Sequence, residues 1–204
     1  MTSGNTTAAP AGRLERRKAR TRAAIVQAAT SLFRANGYEA TSVQQIAEQA
    51  DTGVGTLYGY FTSKEEILRE VLRSRSEEAF ARYFAQVDES STYVDRICTA
   101  MRIVAAYINE NRRILVAAFG APGRDRGLDN QSQETLKAAF SALLTTGMER
   151  GEIAPLPAET TAQALIGMVT MAVLGVGIWA GREDDPLLLA ELEHVTRRLL
   201  SGMS

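Results

Sequence analysis

Residues 41–64, TSVQQIAEQADTGVGTLYGYFTSK, constrain the fold of this 204-residue chain more than any other segment. Apolar side chains recur there at the helical spacing i, i+3, i+4, i+7 in two successive runs: Val43, Ile46, Ala47 and Ala50, then Val54, Leu57, Tyr58 and Phe61. Residues 51–53 interrupt the period, and Thr41 or Ser42 can cap the first helix. Because two helices of about two turns each are unstable alone, we expect them to pack across each other. The pattern predicts a helix-turn-helix, whose second helix fits the major groove of DNA.

The segment before this motif predicts a longer helix with a basic beginning. Its apolar stripe consists of Ile25, Ala28, Ala29, Leu32 and Phe33, and Gly37 is placed to end it as a left-handed C-cap. Residues 13–22 hold six Lys or Arg against one acidic residue, Glu15. Such a charge run is often only a solvated helix face. Its position directly before a helix-turn-helix favours contact with phosphates.

Charge is unevenly distributed along the chain. The whole chain has a net charge of −1, but residues 1–64 carry 8 Lys and Arg against 4 Asp and Glu, whereas residues 65–204 carry 15 against 20. A basic head on an acidic body fits a protein that presents one end to DNA. The single cysteine, Cys98, excludes an internal disulfide framework and suits a reducing, cytoplasmic setting. Residues 1–12 are small and polar, without the apolar core of a signal peptide, and predict a disordered tail.

Residues 160–181 form an uncharged stretch of 22 residues that is long enough to cross a bilayer. Its flanks are mostly acidic, with Glu159 before it and residues 183–185 after it, and only Arg182 offers an anchoring positive charge. We therefore expect a helix buried on all sides in a soluble protein rather than a membrane span.

The hydrophobic periodicity predicts an all-α fold of about nine helices. After the helix-turn-helix, Ser63 with Glu66 forms a capping box that opens a helix to about residue 84, and Thr92 with Asp95 opens another to about residue 111. Further helices are predicted at 112–119, 132–150, 157–180 and 186–201, with a long loop from Gly120. We predict three regions: the tail (1–12), the DNA-binding domain (13–62) and a helical ligand-binding and dimerisation domain (63–204).

With these residues in view, the chain resembles the tetracycline-repressor (TetR) family of bacterial transcriptional regulators. The resemblance covers residues 18–68 and rests on a basic stretch, then AATSLFRANGYEATSVQQIAEQA, then GTLYGYFTSKEEIL, in that order. The other two-thirds of the chain match the family's helical body only in general form. The resemblance implies a cytoplasmic homodimer that binds a palindromic operator and represses the promoter. It also implies that the dimer dissociates from the DNA when a small molecule binds the helical body.

The resemblance also implies which side chains of the head touch DNA. Thr56 and Tyr58 match positions that contact bases or phosphates in relatives, and Lys64 matches a basic residue at the start of the next helix. Gln44 is placed to reach a base edge, where adenine would be its bidentate partner. The full set of expected DNA contacts is Arg17, Lys18, Thr41, Ser42, Gln44, Thr52, Gly53, Gly55, Thr56, Tyr58, Tyr60 and Lys64.

The recognition helix also departs from the family pattern. Gly53 and Val54 stand where relatives often have Ser and Lys, and Gly59 stands where a His or an aromatic residue is common. Each interior glycine costs about 0.5–1 kcal/mol relative to Ala. We expect a close backbone approach to DNA, modest direct readout of bases, and a larger contribution from the basic segment.

The body carries the expected dimer and ligand residues. The last two predicted helices are rich in Gly and Leu. We expect the helix pairs of two copies to form a two-fold symmetric four-helix interface, although the same residues could be the core of a monomer. The expected dimer contacts are Gly167, Gly175, Leu188, Leu192, Val195 and Leu199. Mixed Met and aromatic residues suit a ligand cavity but also suit an ordinary core. The candidates are Met101, Arg102, Tyr107, Phe119, Phe140, Met168, Met171 and Trp179.

Other classes of function find less support in the sequence. The sequence does not carry the catalytic motifs expected of an all-helical enzyme. It has no Ser/His/Asp set, no phosphate loop and no metal-ligand cluster, and we expect no cofactor. His194 has no ligand-spaced partner and is expected on the surface. Cys98 is expected to be a small buried hydrophobe rather than a redox trigger. Activation, regulation without a ligand, and a small-molecule-binding protein without sequence-specific DNA binding remain open alternatives.

Overall fold

The structure is a computed structural model that describes residues 12–86, 88, 90–120, 130–179 and 186–202. These residues form eight helices and no strand. The helices are α1 (Arg13–Asn36), α2 (Val43–Gln49), α3 (Val54–Tyr58), α4 (Lys64–Gln86), α5 (Tyr93–Gly120), α6 (Asn130–Glu149), α7 (Ala158–Trp179) and α8 (Pro186–Leu200). The all-α prediction is confirmed. The predicted tail up to residue 11 and the predicted loop after Gly120 lie outside the described residues.

The difference between eight helices and the predicted nine lies in α5. We predicted two helices that meet at residues 111 and 112. The structure joins them into one helix of 28 residues, with non-helical dihedral angles (φ −115°, ψ 15°) at Asn111. Asn111 is buried, and its side-chain Nδ2 donates to the carbonyl of Tyr107 at 2.8 Å. The predicted junction is therefore a kink within one helix, held by an asparagine that bonds back to its own preceding turn.

The chain divides into two compact units, Met1–Val71 and Leu72–Ser204. The division falls inside α4, so this helix contributes residues to both units. The predicted domain boundary between residues 62 and 63 lies at the beginning of α4 and stays a prediction.

In the first unit, local signals in the sequence fix the ends of the helices. Gly37 follows α1 with φ 84°, a conformation that favours glycine, and its N–H donates to the carbonyl of Phe33. Ser42 and Gln45 form a reciprocal capping box at α2, as the sequence predicted for Ser42. Asp51 has φ 51° in the turn between α2 and α3. These turns place α2 against α1 and α3 against α2, and Ile25, Phe33, Ile46, Leu57 and Phe61 form the buried core.

In the second unit, α5, α6 and α7 pack against one another, and α8 packs against α5 and α7. Their shared core includes Ile97, Met101, Ile114, Phe140 and Leu165, all nearly inaccessible to solvent. Cys98 is also fully buried, and burial raises the pKa of its thiol. The sequence-based expectation of a small buried hydrophobe is consistent with this position.

By length and composition alone, α7 could cross a membrane over Ala158–Gly175. One face of α7 packs on α5 and α6 through Ala162, Leu165, Val169 and Leu174. The expectation that this helix is buried on all sides is wrong for the single chain, because only 33% of Ala158–Gly175 is buried. The sequence could not reveal this, because the helix is apolar around its whole circumference and its periodicity marks no single buried face.

Candidate DNA-binding surface and ligand cavity

The recognition helix α3 is shorter than predicted and ends at Tyr58 rather than Phe61. Leu57 and Phe61 are buried at 1% and 0% exposure and anchor the segment to the first unit, as predicted. Thr56 and Tyr58 point outward, with Tyr58 51% exposed. The segment thus exposes one side of a helix of about one and a half turns.

The glycines of α3 differ in what they do. Gly53 is the N-cap and has no side chain to bond the helix, while Gly55 is exposed with open space around its Cα. At Gly59 a Cβ would lie 3.1 Å from the carbonyl oxygen of Thr56, so a larger residue would crowd the end of the helix. Gly53 and Gly55 leave the backbone accessible to a partner, which is consistent with the expected close approach to DNA.

The expected contacts on α2 and its N-terminus have different surroundings. Gln44 is exposed and can extend outward from α2. Ser42 is exposed, but its Oγ accepts from the backbone N–H of Gln45 at 3.2 Å as part of the capping box. Thr41 is only 1% exposed, and its hydroxyl donates to the carbonyl of Gly37 at 2.7 Å. The Thr41 side chain thus stabilises the turn after α1, and a DNA contact by Thr41 stays a prediction.

Lys64 has a structural role that the sequence analysis missed. Its Nζ donates to the carbonyls of Tyr38 and Thr41 at 2.9 and 3.0 Å and lies 4.2 Å from the centre of the Tyr38 ring. Next to it, the Tyr38 hydroxyl donates to Glu65 Oε1 at 2.9 Å. Two of the three ammonium protons thus stabilise the turn between α1 and α2. A phosphate contact by Lys64 stays a prediction and would use the third.

The basic segment 13–22 forms the first turns of α1 rather than an extended arm. Arg13, Arg16, Arg17 and Arg20 are exposed and recur at i, i+3, i+4, i+7, so they share one helix face. Lys18 is also exposed. The sixth cation, Arg22, differs: it forms an ion pair with Glu70 and lies 5.0 Å over the Phe61 ring. The segment therefore supplies a row of exposed positive charges, and Arg22 stabilises the packing within the first unit.

The remaining expected contacts surround α3. Thr52 and Tyr60 are both half-buried, and the Thr52 N–H donates to the carbonyl of Ala47 at 3.0 Å. DNA binding by the individual residues named here stays a prediction.

The second unit contains a partly open cavity of about 370 Å³ between α4, α5, α6 and α7. Most of its lining side chains are apolar: Ala79, Phe80, Ala100, Ile103, Val104, Ile108, Leu115, Leu136, Ala139, Phe140, Ala142, Leu143, Ile166 and Leu174. Polar groups are contributed by Ser76, Tyr83, Tyr93, Arg96, Tyr107, Ser132, Thr146 and Thr170. A mostly apolar cavity of this size with a few polar groups is typical of small-molecule sites.

The polar groups lie at several points around the cavity. At the middle of α5, the Tyr107 hydroxyl donates to the carbonyl of Leu72 at 3.4 Å, and burial raises the Tyr107 pKa. Ser76 Oγ and Ser132 Oγ lie 3.2 Å apart. Arg96 lies near the beginning of α5, with its guanidinium 4.7 Å from the centre of the Tyr93 ring. Among the described residues that line the cavity, Arg96 is the only charged one.

Of the predicted ligand residues, Tyr107 and Phe140 line the cavity and four others do not. Met101 is buried, but its Sδ accepts from the Thr196 hydroxyl at 3.4 Å. Arg102 forms an ion pair with Glu193 on the surface, in which its Nη1 donates to both carboxylate oxygens at 2.9 and 3.0 Å. Met171 is 61% exposed and Met168 is half-buried outside the cavity. The side chains of Phe119 and Trp179 lie outside the described residues.

These corrections have a simple geometric reason on α7. The helix lines the cavity with residues 166, 170 and 174, which follow one another at i and i+4. Residues 168 and 171 lie on other faces, because each step along a helix rotates the side chain by about 100°. The missed lining residues of α4 and α6 were detectable as stripes at 76, 79, 80, 83 and 136, 139, 140, 143.

The expected dimer residues of α7 and α8 differ in exposure. Val195 and Leu199 are 52% and 48% exposed, Gly167, Leu188 and Leu192 are half-buried, and Gly175 is buried. A Cβ on Gly167 would meet no atom of the described residues within 4 Å. Packing among the described residues therefore does not require a glycine at position 167.

A short exposed helix anchored by buried Leu57 and Phe61 is how helix-turn-helix proteins present side chains to a DNA groove, and the first unit belongs to that class. Comparison with known sequences agrees. Residues 25–71 match the family described as bacterial regulatory proteins, tetR family.

Two curated relatives support the same assignment, one along most of the chain and one over about a third of it. The chain is 25% identical over 184 residues to the fatty acid metabolism regulator protein of Bacillus subtilis (strain 168), covering 88% of this chain and 93% of the relative. It is 37% identical over 76 residues to the HTH-type transcriptional repressor KstR2 of Mycobacterium tuberculosis, covering 37% of this chain and 38% of the relative.

Among solved structures, the transcriptional regulator FadR from Bacillus subtilis in complex with stearoyl-CoA has a similar fold. Its TM-score is 0.70 at 22% identity, covering 89% of this chain and 99% of that chain. Residues 25–71 therefore match the TetR family, and the chain is a DNA-binding transcriptional regulator. The family and these relatives are regulators rather than enzymes.

Proposed function

We propose that this regulator is a cytoplasmic homodimer that represses transcription from a palindromic operator and is released when a small molecule enters the cavity. The observation that carries the proposal is the apolar cavity of about 370 Å³ on the same chain as a helix-turn-helix. A site of that size serves no purpose in DNA contact, whereas a ligand bound there can shift the protein between conformations.

The proposal of a homodimer is supported by the exposed faces of α7 and α8. Met171, Val195 and Leu199 are large apolar side chains at 61%, 52% and 48% exposure. Gly167 leaves room for another helix to approach. A second copy that packs isologously would bury these residues, and two-fold symmetry would match a palindromic operator with half-sites about 34–36 Å apart.

A fatty acyl chain is the apolar ligand group that we propose. The Bacillus subtilis relative that covers most of this chain is a fatty acid metabolism regulator, and the FadR structure holds stearoyl-CoA. The lining of the cavity by Leu, Ile, Phe and Ala side chains is compatible with an alkyl chain.

Release requires that the ligand prefer a conformation with poor DNA affinity. A ligand that binds that conformation better by about 3 kcal/mol would lower DNA affinity by about a hundredfold. α4 is the covalent connection through which such a change would pass, because it contributes residues to both compact units.

The experiment is a selection of bound fragments from genomic DNA by the purified full-length protein at physiological salt. We expect a short palindrome, with binding lost in Tyr58→Ala and retained in the control Leu14→Ala, which removes an exposed apolar side chain outside α3. A fatty acyl ligand should then release the recovered fragment. Recovery of only salt-sensitive binding without sequence preference would contradict the proposal.

A further inference from the structure

We propose that residues 13–20, called the arm here, form a helix whose stability depends on the phosphates of duplex DNA, whatever the DNA sequence. The inference rests on DNA binding by the regulator, and not on the ligand, the dimer or the palindrome of the proposed function. It goes beyond phosphate contacts by single cations, because it couples the formation of the first turns of α1 to the presence of DNA.

The arm has no buried face in the described part of the chain. All residues from 12 to 20 are exposed, and the first buried residue of α1 is Ile25. At the usual rise per residue, Arg13 lies about 18 Å along the helix axis from Ile25. Most of the stability of a helix in a protein comes from packing one face, and an isolated helix of about two turns is marginal in water. Packing therefore does not explain why the arm is helical.

The charges of the arm oppose its helix. The arm carries five Lys or Arg against one acid, Glu15. Its arginine row consists of Arg13, Arg16, Arg17 and Arg20. Because these residues are three or four positions apart, helix formation brings like charges together on one face, which destabilises a helix. Glu15 is three positions from Lys18 and is not spaced to pair with any arginine of the row, so it leaves this repulsion in place.

The N-terminal end of the arm is also poorly stabilised. The N-cap of α1 is Gly12, which makes no side-chain cap hydrogen bond. Arg13 and Arg16 place positive charge in the first turn, where the helix dipole is already positive and a negative charge is favourable. A row of negative charge outside the chain would therefore offset both the repulsion within the arginine row and the charge at the helix end.

Duplex DNA is the partner whose charge matches the arginine row. From Arg13 to Arg20 the row spans about 10 Å along the helix, which is about three phosphates of one DNA strand. Guanidinium groups bind phosphate oxygens through paired N–H donors. An anionic membrane fits the arm less well, because Leu14 is its only large apolar side chain. Phosphates carry no base identity, so the arm holds DNA irrespective of sequence.

The test is amide hydrogen exchange of the full-length protein at low salt, with and without a short duplex of unrelated sequence. The double variant Arg13→Gln, Arg20→Gln removes one member of every like-charge pair in the row. The matched control Arg13→Lys, Arg20→Lys keeps the charge. Because Arg, Lys and Gln have similar helix propensities, a difference between the two variants reports the charge. Amides of residues 25–33, in the packed part of α1, serve as the internal reference.

We expect the duplex to slow exchange of residues 16–20 in the wild type by about tenfold or more, while the reference amides do not change. In the free protein, the Gln variant should exchange more slowly than the wild type, because its like charges are gone. The same variant should bind DNA more weakly and gain less protection from it. The Lys variant should follow the wild type in each measurement.

Equal protection of the arm with and without DNA would overturn the inference, as would a Gln variant that binds the duplex as tightly as the wild type. Protection by an operator fragment alone would contradict its independence of sequence. Stronger protection by phosphatidylglycerol vesicles than by DNA would assign the arm to membranes instead. Because the duplex holds no operator and no ligand is added, a failure of fatty acyl ligands to release operator DNA would overturn the proposed function and leave this inference standing.

Discussion

The two compact units of this regulator use their apolar residues in different ways. In the first unit, Ile25, Phe33, Ile46 and Phe61 are completely buried, and the large apolar side chains left exposed are Leu14 and Tyr58. The second unit keeps a cavity among its core residues and leaves Met171, Val195 and Leu199 exposed on α7 and α8. The described part of the first unit thus buries its large core side chains fully, whereas the second combines a cavity with uncovered apolar surface. This difference predicts that the first unit depends on core packing and that the second can accept partners.

The largest expected effect comes from removing a core side chain of the first unit. Phe61→Ala should destabilise that unit by about 3–5 kcal/mol, because the ring is fully buried and lies under Arg22. DNA binding should be lost, while ligand binding to the second unit should persist. Denaturation followed by circular dichroism, together with ligand titration, measures both.

The matched variant in the second unit is Phe140→Ala. Phe140 is 2% exposed but lines the cavity, so its removal enlarges a space that already exists. We expect a smaller loss of stability than for Phe61→Ala and a shift of ligand preference toward bulkier chains. Equal destabilisation by the two variants would contradict the contrast between a filled and an unfilled core.

The next prediction concerns Lys64, whose ammonium satisfies two backbone carbonyls. Lys64→Met should leave the carbonyls of Tyr38 and Thr41 without this donor and destabilise the first unit by about 2 kcal/mol. Thermal denaturation measures this. If Lys64→Met weakened DNA binding without changing stability, Lys64 would act on phosphate, as the family resemblance implies, and its structural role would be refuted.

Lys64 also shows what the sequence could and could not predict. The helix-turn-helix was predictable because it depends on local spacing: the apolar periods, the cap at Ser42 and the glycine after α1 all lie within a few residues of the feature they determine. The bond from Lys64 to Tyr38 joins residues 26 positions apart and leaves no mark in the periodicity. In the body, α7 is apolar on every face, so the sequence could not show which face lines the cavity.

A smaller effect, on binding rather than stability, is expected from the exposed basic row of α1. The double variant Arg16→Gln, Arg17→Gln should lower DNA affinity at low salt and reduce the slope of log K against log[salt] by about 0.9 for each lost phosphate contact. Stability should not change, because both side chains are exposed. An unchanged slope would assign this row to a solvated helix face.

The smallest expected effect is that of an exposed ion pair in the second unit, which can be set against the buried contacts of Lys64. Asp95 on α5 accepts from Arg197 on α8 at 2.7 Å, and both side chains are more than 40% exposed. The hydrogen bond from the Thr92 hydroxyl, followed by that from Arg197, lowers the Asp95 pKa. A carboxylate with a lowered folded-state pKa stabilises the protein above its unfolded pKa, and that stability is lost as pH falls through the folded value.

Asp95→Asn should therefore cost only about 0.5 kcal/mol at neutral pH, because solvent screens an exposed pair. Its difference from the wild type should shrink as pH falls from about 4 toward the lowered folded-state pKa, because the wild-type carboxylate is protonated first in the unfolded chain and then in the folded protein. Chemical denaturation at a series of pH values measures this difference. A loss at neutral pH as large as that of Lys64→Met would mean that exposure does not set the strength of charged contacts here. The two units would then not differ in how strongly their charged contacts stabilise them, and that part of the contrast would have to be abandoned.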